Sequence, residues 1–241
     1  MDTSVLIVGA GPVGLTLALD LGRRGVRCTL IEQKEKPAFL PKMERVNART
    51  MEIYRRMGLA EKIRAAGLRR DIPMDVFVVL DLAHPPLLRL AYPSVAEAEA
   101  DIRATIDGSV PLEPYQLISQ YTLEPLLAAE CKKLPAVTMH WSTQFQSCVQ
   151  DAEGVTTTIR APDGSTRTIR SRYLVGCDGG ASPVRHAIGV KLRGEANSLA
   201  LRQGLYVCEE LFDRLPVGNG PGRGRHYHVA DDKSTFLIMQ D

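Results

Sequence analysis

The segment Val5–Gly14 constrains the fold of this 241-residue chain more than any other part of the sequence. A short apolar run, Val5–Val8, is followed by glycines in the spacing Gly-x-Gly-x-x-Gly, which is typical of a strand, a tight turn and a helix. In that spacing Gly9 permits the turn, Gly11 lets the backbone approach a pyrophosphate, and Gly14 lets the helix pack closely on the strand. The segment therefore predicts a dinucleotide-binding βαβ unit.

The second strand of this unit ends on an acidic residue. Cys28–Glu32 is apolar up to Glu32, whose carboxylate can accept hydrogen bonds from ribose hydroxyls. The helix after Gly11 would begin with unbonded N–H groups and with the positive end of its dipole, and both favour phosphate. The residues predicted to contact the cofactor in this unit are Gly9, Gly11, Pro12, Val13, Gly14, Glu32 and Gln33.

Composition argues against several other functions. The net charge of +2 gives no reason to expect a nucleic-acid partner or a charged membrane surface. The five cysteines form no Cys-x-x-Cys pair and the five histidines lack metal-ligand spacing, so we predict reduced thiols and no metal site. The sequence shows no secretory signal and no apolar stretch near the roughly 18 residues that cross a bilayer. These features predict a soluble, cytoplasmic protein without a membrane partner.

The rest of the chain predicts a β-rich part interleaved with the dinucleotide-binding part. Strand-like runs at Met74–Leu82 and Leu87–Ala91 flank a Pro-Pro turn and interrupt the alternation of strands and helices. Further runs with strand character cover residues 137–141, 145–151, 155–161, 167–171, 173–177, 200–209, 226–230 and 233–241. We predict an α/β fold class, with a Rossmann-like domain at 1–73 and 113–190 and a β-rich substrate domain at 74–112 and 191–241.

A second motif brings in a family resemblance. Tyr173–Arg185 reads as a strand, then Asp178 at its carboxyl end, then two glycines that free backbone N–H groups, in the pattern Asp-Gly-x-x-Ser-x-Val-Arg. Together with the Val5–Gly14 segment, this pattern resembles the signature of the FAD-dependent aromatic hydroxylases, the single-component flavoprotein monooxygenases. The resemblance extends over essentially the whole chain.

Two further segments support the resemblance and add candidate site residues. Pro41–Glu52 is similar to the family segment in which a basic residue meets FAD, and Lys42 stands where the family more often has arginine. Because a lysine is a point charge that cannot fork to phosphate, its role differs from that of a guanidinium. Ser119–Leu127 resembles the family motif Gln-x-x-Leu-Glu-x-x-Leu, which implies that Gln120 contacts the ribityl and phosphate part of the flavin.

The resemblance implies a reaction. FAD would be the cofactor, NADH or NADPH the reductant, and O2 and a small phenol-like aromatic compound the substrates, with hydroxylation through a flavin C4a-hydroperoxide. In such enzymes the cofactor carries the difficult step, so no catalytic side chain is singled out from the sequence. Two alternatives remain open, namely another flavin oxygenase on the same fold, such as an epoxidase, and a non-catalytic FAD- or nucleotide-binding fragment.

The end of the sequence adds an expectation about completeness. The family's Gly-Asp-Ala-Ala-His segment is absent and the chain ends in a strand-like run, so we expect a truncated chain that by itself cannot hydroxylate. A free strand edge at Phe236–Asp241 would be mobile or would pair with another copy, which allows a homodimer. His226 and His228 share one face of a predicted strand, where a solvated or packed position is the simplest interpretation.

Overall fold

The computed structural model describes residues 1–37, 42–195, 202–233 and 235–241. The strands are β1 Thr3–Val8, β2 Cys28–Ile31, β3 Arg45–Val46, β4 Val76–Val79, β5 Leu88–Leu90, β6 Gln116–Leu117, β7 Val137–His140, β8 Gln144–Asp151, β9 Gly154–Arg160, β10 Thr166–Gly176, β11 His226–Val229 and β12 Phe236–Ile238. The helices are α1 Pro12–Arg23, α2 Ala48–Arg56, α3 Ala60–Ala66, α4 Val95–Ala104, α5 Gln120–Cys131, α6 Pro183–Ala187 and α7 Leu211–Arg214.

The first of two compact units comprises residues 1–41 and 120–202 and contains a six-stranded sheet. Its strand order is β7-β2-β1-β10-β9-β8, in which β7, β2, β1 and β10 run parallel and β9 and β8 are antiparallel neighbours. Alternate residues of β1 face opposite sides, so that Leu6 and Val8 pack with Ile31 and Val184 on one side. The predicted Rossmann-like α/β fold is therefore confirmed.

The strand β10 joins the two parts of this sheet. Its first half, up to Ser171, pairs antiparallel with β9, and its second half, from Ser171 on, pairs parallel with β1. The sequence had indicated two separate strands here, at 167–171 and 173–177. One continuous strand forms because the buried Ser171 is in register with both Val155 and Thr3.

The second unit comprises residues 42–119 and 203–241 and contains a four-stranded sheet in the order β12-β11-β4-β5. The predicted hairpin is present as antiparallel β4 and β5, while β4 and β11 run parallel. One face of this sheet packs Phe77, Tyr227 and Met239 into a buried cluster with Leu215. A short antiparallel ribbon, β3 with β6, belongs to the same unit.

Several sequence predictions differ from the structure. The strand predicted at 200–209 is wrong over residues 202–209, where the backbone forms no strand. Tyr206 and Val207 in this segment are exposed, and no neighbouring strand pairs with them. Positions 200 and 201 lie outside the described residues. The helix α4 was missed although Ser94 and Glu97 form a capping box at its start.

The compact units also divide the chain differently from the predicted domains. Residues 42–73 and 113–119 cluster with the β-rich unit, whereas the sequence had placed them in the Rossmann-like domain. The reason is local: Leu68, Ile72 and Met74 are buried together with Val95 and Leu117, which ties these segments to one core. Within the described ranges, no helix is long and apolar enough to cross a membrane.

Candidate cofactor site

The turn between β1 and α1 depends on two glycines. Gly9 has φ +106°, and a Cβ built there would lie 2.5 Å from the carbonyl oxygen of Cys177. A Cβ at Gly14 would overlap the carbonyl oxygen of Gly9 and lie 3.2 Å from the Cβ of Cys177. Both positions therefore need glycine for the turn to close and for α1 to pack against β1 and against Cys177, which follows β10.

Gly11 is different, because the space beside it is open. It has φ −71°, which any residue adopts, and the nearest atom to a Cβ built there is Oε1 of Glu124 at 3.8 Å. The protein's own packing does not require glycine at this position. The space is therefore a cradle that a side chain would partly fill and that a ligand backbone such as a pyrophosphate would fit.

The start of α1 is suited to an anion. Pro12 is the first helical residue. Gly11 caps the helix without a side-chain hydrogen bond, and the first turn contains no acidic residue. Val13 is 70% exposed although it is apolar. The positive end of the helix dipole therefore opens next to the Gly11 cradle, where a phosphate group would be stabilised.

Glu32 is fixed beside this turn by two backbone groups. Its Oε2 accepts a hydrogen bond from the N–H of Ala10 at 2.8 Å, and its Oε1 accepts one from the N–H of Lys34 at 3.0 Å. The N–H of Gly9 donates to the carbonyl of Ile31 at 2.8 Å, which joins the turn to the end of β2. Each carboxylate oxygen keeps a further lone pair for a ribose hydroxyl.

The second motif meets the first at the same edge of the sheet. The N–H of Cys177 donates to the carbonyl of Val8 at 2.7 Å, and the Cα of Asp178 lies 3.0 Å from a Cβ built at Gly9. The Asp178 carboxylate accepts hydrogen bonds from the Ser182 hydroxyl at 2.5 Å and from the N–H of Val184 at 3.0 Å. Asp178 thus holds the first turn of α6, and its contact with a cofactor stays a prediction.

The remaining predicted residues lie in different places. Gln33 is exposed after β2 and lines an open cleft with Ser142, Gln144 and Arg160. Gln120 begins α5 in the same unit as the turn. Lys42 belongs to the second unit, so its role toward phosphate stays a prediction.

One residue near the turn was not predicted as a site residue. Glu124 is 4% exposed in α5, accepts a hydrogen bond from Nε2 of Gln120 at 2.5 Å, and is the side chain nearest to the Gly11 cradle. The signal was present in the sequence, because Gln120 and Glu124 are four residues apart and therefore share a helix face.

Three cysteine thiols of this unit, those of Cys28, Cys131 and Cys177, are held in their protonated form. Burial raises the pKa of Cys177, which lies next to Asp178, and it raises the pKa of Cys28 to about 11 and of Cys131 to about 12. A thiol with a raised pKa carries little thiolate at neutral pH and is a poor nucleophile. These three thiols are therefore unsuited to nucleophilic chemistry. The site around the Gly9–Gly14 turn is suited to binding a nucleotide.

Comparison with known proteins shows the family to which this chain belongs. The family model described as "FAD binding domain" matches residues 2–214, which include the turn, Glu32, Gln120 and Asp178. The chain belongs to this FAD-binding domain family. The resemblance to FAD-dependent monooxygenases and aromatic hydroxylases is confirmed by the relatives described next.

Two curated relatives of this chain are named as a monooxygenase and a hydroxylase. The 4-methyl-5-nitrocatechol 5-monooxygenase of Burkholderia sp is 33% identical over 222 residues, which are 90% of this chain and 39% of that protein. The aklavinone 12-hydroxylase DnrF of Streptomyces peucetius is 32% identical, over 90% of this chain and 44% of that protein. The chain thus spans less than half the length of these relatives.

A solved structure agrees with the fold of the FAD-binding domain. The flavin-dependent monooxygenase PieE, determined in complex with FAD and substrate, superimposes with a TM-score of 0.73 and 31% sequence identity. The match covers 81% of this chain and 33% of that one. FAD is the cofactor of this domain family, and the open Gly11 cradle beside a helix start without a side-chain cap fits its pyrophosphate.

Proposed function

We propose that the protein to which this chain belongs uses FAD and NADH or NADPH to hydroxylate a phenol-like aromatic compound with O2. The observation that carries the proposal is the Gly9–Gly14 turn with Glu32 fixed beside it by the N–H of Ala10, within a chain of the FAD-binding domain family. The names of the relatives, a nitrocatechol monooxygenase and an aklavinone hydroxylase, support an aromatic substrate.

The residues of this chain would bind the cofactor in three places. Gly9, Gly11, Pro12, Val13 and Gly14 surround the pyrophosphate, because the turn is open at Gly11 and the helix dipole points into it. Glu32 accepts hydrogen bonds from the adenosine ribose, with Gln33 beside it. Gln120, Lys42 and Asp178 are proposed further contacts toward the phosphate and ribityl part.

The position of Glu32 also bears on which nucleotide binds here. A carboxylate repels the 2′-phosphate of NADPH, so a nicotinamide cofactor with that group would not occupy this site. When bound, FAD supplies the redox chemistry that transfers an oxygen atom from O2 to the ring. This chain's part is to bind and orient the cofactor and the aromatic compound. We further propose that the β-rich unit binds the substrate.

The proposal is tested by the fate of reducing equivalents in the full-length gene product. With FAD, O2 and either NADH or NADPH, we expect a panel of phenols to include compounds that stimulate oxidation of the reductant and yield a hydroxylated product. Product is quantified by mass spectrometry and hydrogen peroxide by a peroxidase assay. Release of hydrogen peroxide equal to the reductant consumed, with no hydroxylated product across the panel, would contradict the proposal.

A further inference from the structure

The second unit contains an open cleft of about 770 Å³ on one face of its four-stranded sheet. This volume lies within the range of about 300–1,000 Å³ that small-molecule sites have. Phe77 of β4 lies on this face together with its cross-strand partners Arg89 and Tyr227, whereas His226 and His228 lie on the opposite face. The cleft opens between β4, the β4–β5 hairpin and the segment that follows α7. It is therefore large enough for a small organic molecule.

The walls of the cleft are held together by backbone contacts. A Cβ built at Gly220 would overlap the carbonyl oxygen of Leu82, so the segment after α7 lies directly on the β4–β5 hairpin. The N–H of Asn219 donates to the carbonyl of Ala83 at 2.9 Å, which fastens the same contact. A ligand would therefore meet a preformed cleft, which lowers the entropy cost of binding.

The floor and sides of the cleft are largely apolar. Phe77 is buried and stacks on Tyr227 with ring centroids 5.6 Å apart, so the core of the unit sets its position. Because a proline ring fixes φ, the prolines of the cleft form rigid walls. The apolar residues that line the cleft are Pro73, Phe77, Pro86, Leu215, Pro216 and Pro221. This lining suits the hydrocarbon part of a ligand and not a free inorganic ion.

Two guanidinium groups also line the cleft, and both have N–H donors to spare. Nε of Arg223 donates to the carbonyl of Phe212 at 2.7 Å, and its Nη2 lies 3.5 Å from Asp213, an exposed carboxylate. Nε of Arg89 donates to Asp75 at 2.8 Å, and Nη2 of Arg89 lies 2.8 Å from the same oxygen. A guanidinium has five N–H donors, and within the described ranges no protein group accepts a hydrogen bond from Nη1 of either arginine. The cleft therefore offers donors to an anion.

The two carboxylates that line the cleft are already paired. Asp75 is buried, and its Oδ2 is bound by Arg89. Asp71 accepts two hydrogen bonds from Arg69, at 3.0 and 2.6 Å, and this pairing is the main cause that lowers the pKa of Asp71. Each carboxylate thus has its own arginine, and Arg223 adds a positive charge that forms an ion pair with neither of them.

We propose that this cleft binds a small organic carboxylate, with Arg223 as the main cation and Arg89 contributing its spare N–H donors. The fork of a guanidinium matches the two oxygens of a carboxylate. The hydrocarbon part of the ligand would lie against Phe77 and the prolines. The inference goes beyond the proposed function, because none of the proposed FAD contacts lines the cleft and His226 lies on the opposite face of the sheet.

The test uses cyclohexanecarboxylate and its neutral counterpart cyclohexanecarboxamide, because neither has an aromatic ring that the proposed enzyme could hydroxylate. Binding to the full-length gene product, saturated with FAD, is measured by isothermal titration calorimetry at neutral pH. We expect the carboxylate to bind at least about tenfold more tightly than the amide, since hydrogen bonds between charged groups are stronger than those of neutral ones. Arg223→Gln should weaken binding of the carboxylate at least about tenfold.

Two further variants complete the test. Arg89→Lys keeps a positive charge beside the buried Asp75 but removes the spare donors of the fork, so the affinity should fall at least about threefold while the protein stays folded. The matched control is Arg214, which forms an exposed pair with Glu210 and does not line the cleft. Arg214→Gln should change the affinity less than about twofold.

Three results would overturn the inference. The first is the absence of cyclohexanecarboxylate binding to the wild-type protein, and the second is equal affinity for the carboxylate and the amide. The third is an unchanged affinity in a folded Arg223→Gln protein, which would show that the probe binds elsewhere. If Arg223→Gln does not fold, Arg89→Lys decides, and an unchanged affinity in that variant counts against the inference in the same way.

Discussion

Replacement of Gly14 by alanine is expected to lower the melting temperature of the chain by about 6–12 °C, which corresponds to a loss of about 3 kcal/mol. The reason is steric. The new Cβ would overlap the carbonyl oxygen of Gly9, a backbone atom that cannot move away because Gly9 is itself in contact with Cys177. Thermal unfolding followed by circular dichroism measures the effect, and the same variant should also lose FAD binding because the turn is displaced.

Gly11→Ala separates the effect on folding from the effect on the cofactor. A Cβ at Gly11 meets its first neighbour, Glu124, only at 3.8 Å, so the melting temperature should change by no more than about 2 °C. The methyl group would occupy the cradle, and FAD affinity should fall by at least about tenfold, or 1.4 kcal/mol. Two variants with equal melting temperatures and equal FAD affinities would show that the two glycines have no separate roles.

Replacement of the buried Arg64 by methionine is expected to destabilise the second unit by about 3 kcal/mol. Its guanidinium is fully buried and donates to Glu113 at 2.7 Å, to the carbonyl of Pro114 at 2.9 Å and to Gln116 at 3.2 Å. Its Nε lies 3.2 Å from Glu99, within ion-pair distance but without hydrogen-bond geometry. Loss of the cation leaves two poorly hydrated carboxylates, Glu113 without its closest partner and Glu99 without one of its two guanidinium neighbours.

The size of this effect is set by the neighbours that remain. Arg55 is 3.5 Å from Glu113 and Arg70 is 3.1 Å from Glu99, which places the expected loss at the lower end for a broken buried pair. Chemical denaturation measures it, with Arg69→Met as the control. Arg69 forms an exposed pair with Asp71, so Arg69→Met should change the free energy of unfolding much less than Arg64→Met does. If Arg64→Met and Arg69→Met lowered the free energy of unfolding equally, the claim that burial of Arg64 determines the size of its effect would be contradicted.

The first unit could be predicted from the sequence where local pattern and tertiary structure agree. The Gly9–Gly14 turn and β2 depend on contacts close in sequence, and the structure has them as expected. The joining of two predicted strands into β10 could not be predicted, because it depends on Ser171 being in register with strands distant in sequence. Long-range register of this kind is not encoded in the local hydrophobic pattern.

The candidate site shows the same distinction. The residue types at Glu32 and Asp178 identified them as site candidates, but the backbone partners that hold each carboxylate emerge only in three dimensions. His226 lies on the predicted strand, and its side chain is largely buried, which agrees with the expected packed position. Its partner Glu44 could not be predicted, because it lies far away in sequence.

The central claim is that the adenosine end of FAD binds on the Gly9–Gly14 turn with Glu32 as the ribose acceptor. The most direct measurement is the dissociation constant of FAD, by quenching of flavin fluorescence, for the wild-type chain, Glu32→Ala and Glu35→Ala. Glu35 is an exposed carboxylate three residues away and is the matched control. We predict that Glu32→Ala weakens FAD binding by about 1–3 kcal/mol, a roughly 5- to 150-fold higher dissociation constant, while Glu35→Ala changes it less than about twofold. Equal FAD affinity in wild type and a folded Glu32→Ala protein would contradict the account.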